Sequence, residues 1–481
     1  MKKILSTSVA LGLVVGLAAT ASALDYSVTG SYNVTGASQS DGLGAGAGVD
    51  LTEDTIANPE VKQDNGNDAF YFHSFITDHT LKVNDSVTMK SQLRFADRDY
   101  WGLSGETNTN NNNDLAQSGG RQIDVRQIYM DYTSPVGLIR VGRVPTAAWY
   151  GAFINNGSQG NRIEYSPNFI PAPFTVKVYT QKVNELDATT PALGVGQNDS
   201  DTDDYYAGVE HKGALGTSAL AYFHRRTATQ PAALTPAGFA AAETLNRQDV
   251  WAYGKYTISN FTVEAELDYI FGENSYNTVA LATKDIDALA AMIDVTGKWG
   301  NLSVGGLYFY MSGNDMTYAA NDAGNADNES AMSILNGTGD DYNPFLILTG
   351  DFTGILNTDR DTTSYAEHAT LNVAQAGVHA LGLKAAYQVT PKLNISGIVG
   401  AGWADEERAA IQDDAYGIEY NLNAAYKLLD NLTYSAHFGY LNTGGFFTYN
   451  GVLGTNTADT NDITFVAHAL SMICSISHVV T

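Results

Sequence analysis

Tyr416-Gly-Ile-Glu-Tyr-Asn-Leu-Asn-Ala-Ala-Tyr-Lys427 alternates with a period of two. Ile418, Tyr420, Leu422, Ala424 and Tyr426 fall on one face, and Glu419, Asn421, Asn423, Ala425 and Lys427 on the other. Successive side chains of a strand point to opposite sides, so this run is a strand with one apolar and one polar face. Phe261 to Phe271 repeats the scheme: Phe261, Val263, Ala265, Leu267, Tyr269 and Phe271 oppose Thr262, Glu264, Glu266 and Asp268. Val87 to Phe95 and Leu432 to Tyr440 do the same. A soluble sandwich alternates too, so these runs alone leave the architecture open.

The connections decide it. Short turn signals stand at 83–85, 134–137, 167–173, 212–214, 259–260, 298–301, 390–392 and 429–431. Between them lie longer polar segments at about 37–68, 99–121, 145–160, 184–204, 228–247, 272–288, 312–375, 404–414 and 443–461, rich in Asn, Asp, Gly and Thr. Short and long alternate without exception. That asymmetry belongs to a transmembrane antiparallel β-barrel, with short periplasmic turns and long extracellular loops. Eight short and nine long connections imply 18 strands; one hairpin missed or invented gives 16 or 20. Lipid offers no partner to a bare N–H or C=O, so strands span only as a closed sheet. Tyr71, Tyr100, Tyr132, Tyr165, Tyr256, Tyr387 and Tyr440 sit near strand ends, where interfacial aromatics belong.

The rest of the composition agrees. Met1-Lys2-Lys3, an apolar stretch to Ala19 and Ala21-Ser22-Ala23 form a secretory signal peptide over residues 1–23. Residues 24–481 then make one barrel domain, and after Ala23 no apolar run is long enough for a spanning helix. A formal net charge of −26 argues against a nucleic-acid partner, which needs a basic footprint. One cysteine excludes a disulfide framework and multi-cysteine metal sites.

Removing the signal peptide makes the charge −28, and the negative charge is concentrated. Segments 37–68, 184–204, 312–375 and 404–414 carry −6, −6, −9 and −4, together −25. Within the strands, Lys90, Arg94, Arg98, Arg140, Arg162 and Lys177 fall on inward-phased positions and form a basic wall. Glu264, Glu266, Asp268 and Asp294 form an acidic wall on later strands. Charged walls of this kind set ion preference in pores. Arg126 and Arg143 share parity with the lipid-facing residues, which places them at the outer rim or marks a register slip. Segment 312–375 contains Pro344-Phe-Leu-Ile-Leu348, which either enters the lumen or forms an outward hairpin.

No nucleophile elbow, zincin, phosphate-loop or C-x-x-C motif occurs, so an enzyme is not expected. Asp199, Asp201, Asp203 and Glu210 have calcium-loop spacing, but Asp204 stands where the sharp turn needs glycine. No cofactor is expected; the acidic segments offer only weak, diffuse divalent-cation binding.

The stretch Arg126-Gln-Ile-Tyr-Met-Asp-Tyr-Thr-Ser-Pro-Val-Gly-Leu-Ile-Arg-Val-Gly-Arg143 resembles Gram-negative outer-membrane porins, in which a strand, a Ser-Pro-x-Gly turn and a V-G-R strand end recur. Tyr426 to Tyr434 and Phe438 to Phe447 are similar to large 18-stranded channels, including the alginate-export type. The resemblance implies passive diffusion of small hydrophilic solutes or ions across the outer membrane. It also implies contact with lipid and lipopolysaccharide, and a homotrimer if the general-porin likeness holds. A channel for a charged oligomer and a surface adhesion or structural barrel are the alternatives. Such barrels usually end on an aromatic residue; residues 473–481, with the lone Cys474, form an atypical C-terminal tail.

Overall fold

A computed structural model describes residues 24–40, 67–100, 123–145, 151, 153, 159–184, 201–229, 243–276, 284–313, 342–349, 376–406, 413–450, 455–456 and 462–480. The signal segment 1–23 and most of the acidic segments lie outside the described residues. The barrel strands are β1 (Leu24–Ser40), β2 (Asn67–Lys82), β3 (Val87–Tyr100), β4 (Asp124–Ser134), β5 (Gly137–Pro145) and β6 (Gln159–Pro167). They continue as β7 (Phe174–Asn184), β8 (Thr202–Gly213), β9 (Gly216–Thr229), β10 (Glu243–Ile258), β11 (Phe261–Tyr276) and β12 (Lys284–Trp299). The last six are β13 (Leu302–Met311), β14 (Val378–Gln388), β15 (Leu393–Trp403), β16 (Ala415–Leu429), β17 (Leu432–Thr443) and β18 (Ile463–Val480).

Each strand pairs antiparallel with its neighbours in sequence, and β18 pairs with both β17 and β1, which closes an 18-stranded barrel. The strand count, the eight turns and the nine long connections match the expectation from sequence. Among the described residues, no helix is long and apolar enough to cross a membrane. Residues 473–480, expected as a tail, extend β18 and pair with β1 from Leu24↔Val480 onward.

The short turns are built locally. Asn84 accepts from the backbone N–H groups of Ser86 and Val87 at 2.9 Å each, an Asx-type turn that competes with strand continuation. Ser259 and Gly300 begin two-residue turns with φ of 55° and 58°, the left-handed conformation that tight hairpins need to match strand twist.

Parity sorts the side chains. Leu267, Ile293, Val304, Leu383, Leu422 and Phe438 are exposed on the outside, as lipid contact requires. Tyr71, Tyr132 and Tyr387 are exposed near strand ends, with Trp299 beside them in type. The inner face divides in two. From β4 to β12 it carries most of the charged groups. From β12 to β18 it is largely apolar: Met292, Leu307, Phe309, Met311, Ala380, Ile398, Leu441, Phe465 and Ala467 are buried.

Candidate functional site

The apolar inner face is covered from within. Residues 342–349, from the long 312–375 connection, lie against it, and Phe345, Ile347 and Leu348 have no exposed surface. Glu419 on β16 accepts from the backbone N–H groups of Ile347 and Leu348, both at 2.8 Å. Glycines make the room. A Cβ on Gly400 would lie 2.5 Å from the Phe345 ring, and one on Gly382 3.2 Å from it. Tyr342 packs edge-on against Phe309 and Phe153, at 5.6 and 5.1 Å between centroids. Phe153 comes from the connection after β5, so two long connections enter the barrel. Neighbouring Gly151 abuts the Glu266 carboxylate so closely that a Cβ would collide with it at 1.5 Å.

The signal for this cover was in the sequence. Leu307, Phe309 and Met311 are apolar on the face that alternation makes inward, so β13 is apolar on both sides. An apolar inner face must find a partner other than water. Which segment supplies it is a long-range contact that no local pattern reports.

The charged sector begins with Asp131 on β4. Arg140 on β5 donates to it twice, Nε at 2.6 Å and Nη2 at 3.0 Å, the bidentate fork that suits a carboxylate. Lys90 reaches the same carboxylate at 3.6 Å. Glu164 on β6 stands among Arg140, Arg162 and Lys177. On β8, Asp204 accepts two hydrogen bonds from Arg225, at 2.8 and 2.9 Å. Arg247 and Asp249 pair on β10. Lys255 and Tyr253 hold Glu264 on β11, each at 2.8 Å. Lys384 pairs with Asp294. Aromatic rings thread this sector: Tyr179 stacks on Tyr206 at 4.7 Å, and Phe223 on Trp251 at 5.5 Å. Arg162 and Arg225 lie over the outer two rings, Tyr179 and Phe223.

The sequence-derived candidates fall as follows. Lys90, Arg140, Arg162 and Lys177 share one cluster, and Arg94 lies further along the inner side of β3. The side chain of Arg98 falls outside the described ones. Glu264, Glu266 and Asp268 alternate inward along β11, with Asp294 opposite Glu264 on β12; Glu266 and Asp268 are buried. The two sets do not make walls of one sign. Carboxylates stand among the cations and cations among the carboxylates, because Asp131, Glu164, Asp204, Arg225, Arg247 and Asp249 were missed. Asp204 was missed through a boundary: β8 starts at Thr202, inside the stretch assigned to an outer loop. Asp201 and Asp203, counted in the same stretch, pair with Lys182 at 2.6 and 3.0 Å.

Arg126 and Arg143 resolve differently. The β3–β4 register passes from Gln92↔Gln127 to Leu93↔Val125 and leaves Arg126 as the extra residue of a bulge, which flips parity there. Arg143 is exposed on the same side as Val141, two residues from the end of β5. Among the described residues no group of three or more His, Cys, Asp or Glu side chains could hold a metal ion.

Comparison with known proteins bears on the fold alone. No protein-family profile matches the chain, and no curated protein sequence matches it. Solved structures do. The chain is similar to Pseudomonas aeruginosa OccK9 (OpdG), with 12% identity, a TM-score of 0.52 and coverage of 94% of this chain and 98% of that one. It is similar to OccK8 (OprE) of the same organism, at 11% identity, TM-score 0.50 and the same coverages. A BenF-like porin from Pseudomonas fluorescens Pf-5 is also among them, at 11% identity, TM-score 0.49 and coverages of 94% and 99%. The first two likenesses extend over nearly the whole of each chain, so the shared feature is the complete barrel.

Proposed function

We propose that the protein is an outer-membrane porin, a passive diffusion channel for small hydrophilic solutes and ions rather than an enzyme. The observation that carries this reading is the inward charged sector from β4 to β12 inside a closed sheet whose outer face is apolar. Lipid outside and charge inside is the arrangement of a water-filled transmembrane barrel. Charged side chains aligned along such a lumen act on the ions that pass. Lys90, Arg94, Arg140, Arg162 and Lys177, with Glu264, Glu266, Asp268 and Asp294, line that path in this reading. The inserted residues 342–349 occupy the apolar side, so solutes move along the charged one. Outer-membrane lipid and lipopolysaccharide cover the apolar band, and the general-porin resemblance implies a homotrimer.

Purified protein in a planar lipid bilayer tests the proposal. Stepwise current increments in KCl are expected. Absence of conductance at every ionic strength and voltage, from protein that retains its barrel, overturns it in favour of a structural or adhesive barrel.

A further inference from the structure

Arg162 is the unusual group of the charged sector. Its side chain is fully buried and stacks on the Tyr179 ring at 4.4 Å. Among the described residues, none of its three guanidinium nitrogens has a hydrogen-bond acceptor. A guanidinium presents five N–H donors, and burying them without acceptors is costly enough to need a reason.

Its charged neighbour is Glu164, two residues along the same inner face and itself buried. One carboxylate oxygen lies 3.9 Å from Arg162 Nη1; the other lies 3.7 Å from Arg140 Nη1 and 3.8 Å from Lys177 Nζ. These distances allow ion pairing and exceed hydrogen-bonding range. Three strands assemble the group. Arg140 lies directly opposite Glu164 in the β5–β6 register, and Tyr179 opposite it in the β6–β7 register. Lys177 follows two residues from Tyr179 on the same side. One carboxylate is therefore shared by three cations. Arg140 is already held by Asp131 through Nε and Nη2, and Glu164 saturates neither Arg162 nor Lys177. The other described lumen pairs are closed: Asp131 and Asp204 are each gripped twice by one arginine, and Glu264 by Lys255 and Tyr253.

We propose that Glu164 is a built-in counter-anion. It occupies an anion site formed by Arg140, Arg162 and Lys177, and it sets the charge preference of this sector of the lumen. A small anion binds there by exchange, accepting from the unfilled Arg162 donors while the Glu164 carboxylate gives up its place among the cations. The inference rests on the channel reading. It names Glu164 as the residue that limits anion preference.

Reversal potentials in a KCl gradient test it. Glu164→Gln keeps the shape and removes the charge; a several-fold rise in chloride over potassium permeability is expected. Lys177→Gln should move the ratio the other way. Glu264→Gln makes the same charge change in a closed pair and should shift the ratio less. Added sulfate should reduce the KCl current of Glu164→Gln at lower concentration than that of the wild type. Conducting Glu164→Gln and Lys177→Gln channels with the wild-type reversal potential overturn the inference, as does a Glu264→Gln shift of equal size. If Glu164→Gln fails to form a barrel, Lys177→Gln and Arg162→Gln carry the test against the same control. A wild-type protein without conductance strikes the channel reading instead, so the two failures are separable.

Discussion

The inner surfaces of β4–β11 and of β13–β18 come from the same alternation, yet they are satisfied in different currencies. In the first, carboxylates and cations answer one another across neighbouring strands, as in Asp131–Arg140 and Asp204–Arg225. In the second, Leu307, Phe309 and Phe465 are answered by a segment from a distant connection, tied down by Glu419. The difference shows what an inward position demands. A charge can be met by a residue on the next strand, whereas an apolar inner face needs a separate piece of chain to keep water off it.

The comparison can be broken from either side. Arg225→Met should have the largest effect, because it leaves the buried Asp204 carboxylate without its arginine. Losing one partner of a buried pair costs about 3–5 kcal/mol, and a lowered midpoint in thermal unfolding of the solubilised barrel reads it. Unchanged stability would show that water already reaches that carboxylate. On the apolar side, Phe345→Ala should cost about 3–4 kcal/mol through the cavity it leaves. It should also raise single-channel conductance if residues 342–349 narrow the path; a stable barrel of unchanged conductance would place the path elsewhere. Glu419→Gln keeps the volume but offers one oxygen to two N–H groups. The orphaned donor should cost about 1–3 kcal/mol, seen as faster proteolysis within 342–349 while the barrel itself resists.

The smallest effect belongs outside both sectors. Lys82 holds Asp85 at 2.9 Å at a periplasmic turn. The hydrogen bond from Lys82 lowers the Asp85 carboxyl below its ordinary value. Any stability from that shift is present above the ordinary carboxylate pKa and is lost as pH falls through the lowered one. Both groups are exposed and screened by water, so Lys82→Ala should leave the unfolding midpoint unchanged at neutral and acid pH. A measurable drop would show that the turn is protected.

The charged sector was legible in part. Arg140 and Lys177 announce themselves because strand parity is local, and so do Glu264 and Asp294. Their partners were harder to read. Glu164 lies two residues from Arg162 in sequence, but its meeting with Lys177 depends on how β6 and β7 register across the turn at 168–173. Arg126 illustrates the limit. A one-residue bulge reverses its face, and nothing in Val125-Arg126-Gln127 marks it.

The sequence by itself determined the number of strands, the lipid face of those that alternate cleanly, such as β11, β16 and β17, and the alternation of short and long connections. These follow from a period of two and from turn chemistry, and both act within a few residues. Only the tertiary structure decided that β18 continues to Val480 and closes on Leu24, that residues 342–349 cover β13–β18, and that Glu164 stands among three cations. Those facts depend on closure and on registers between strands. The energies that fix them arise between groups far apart in the chain.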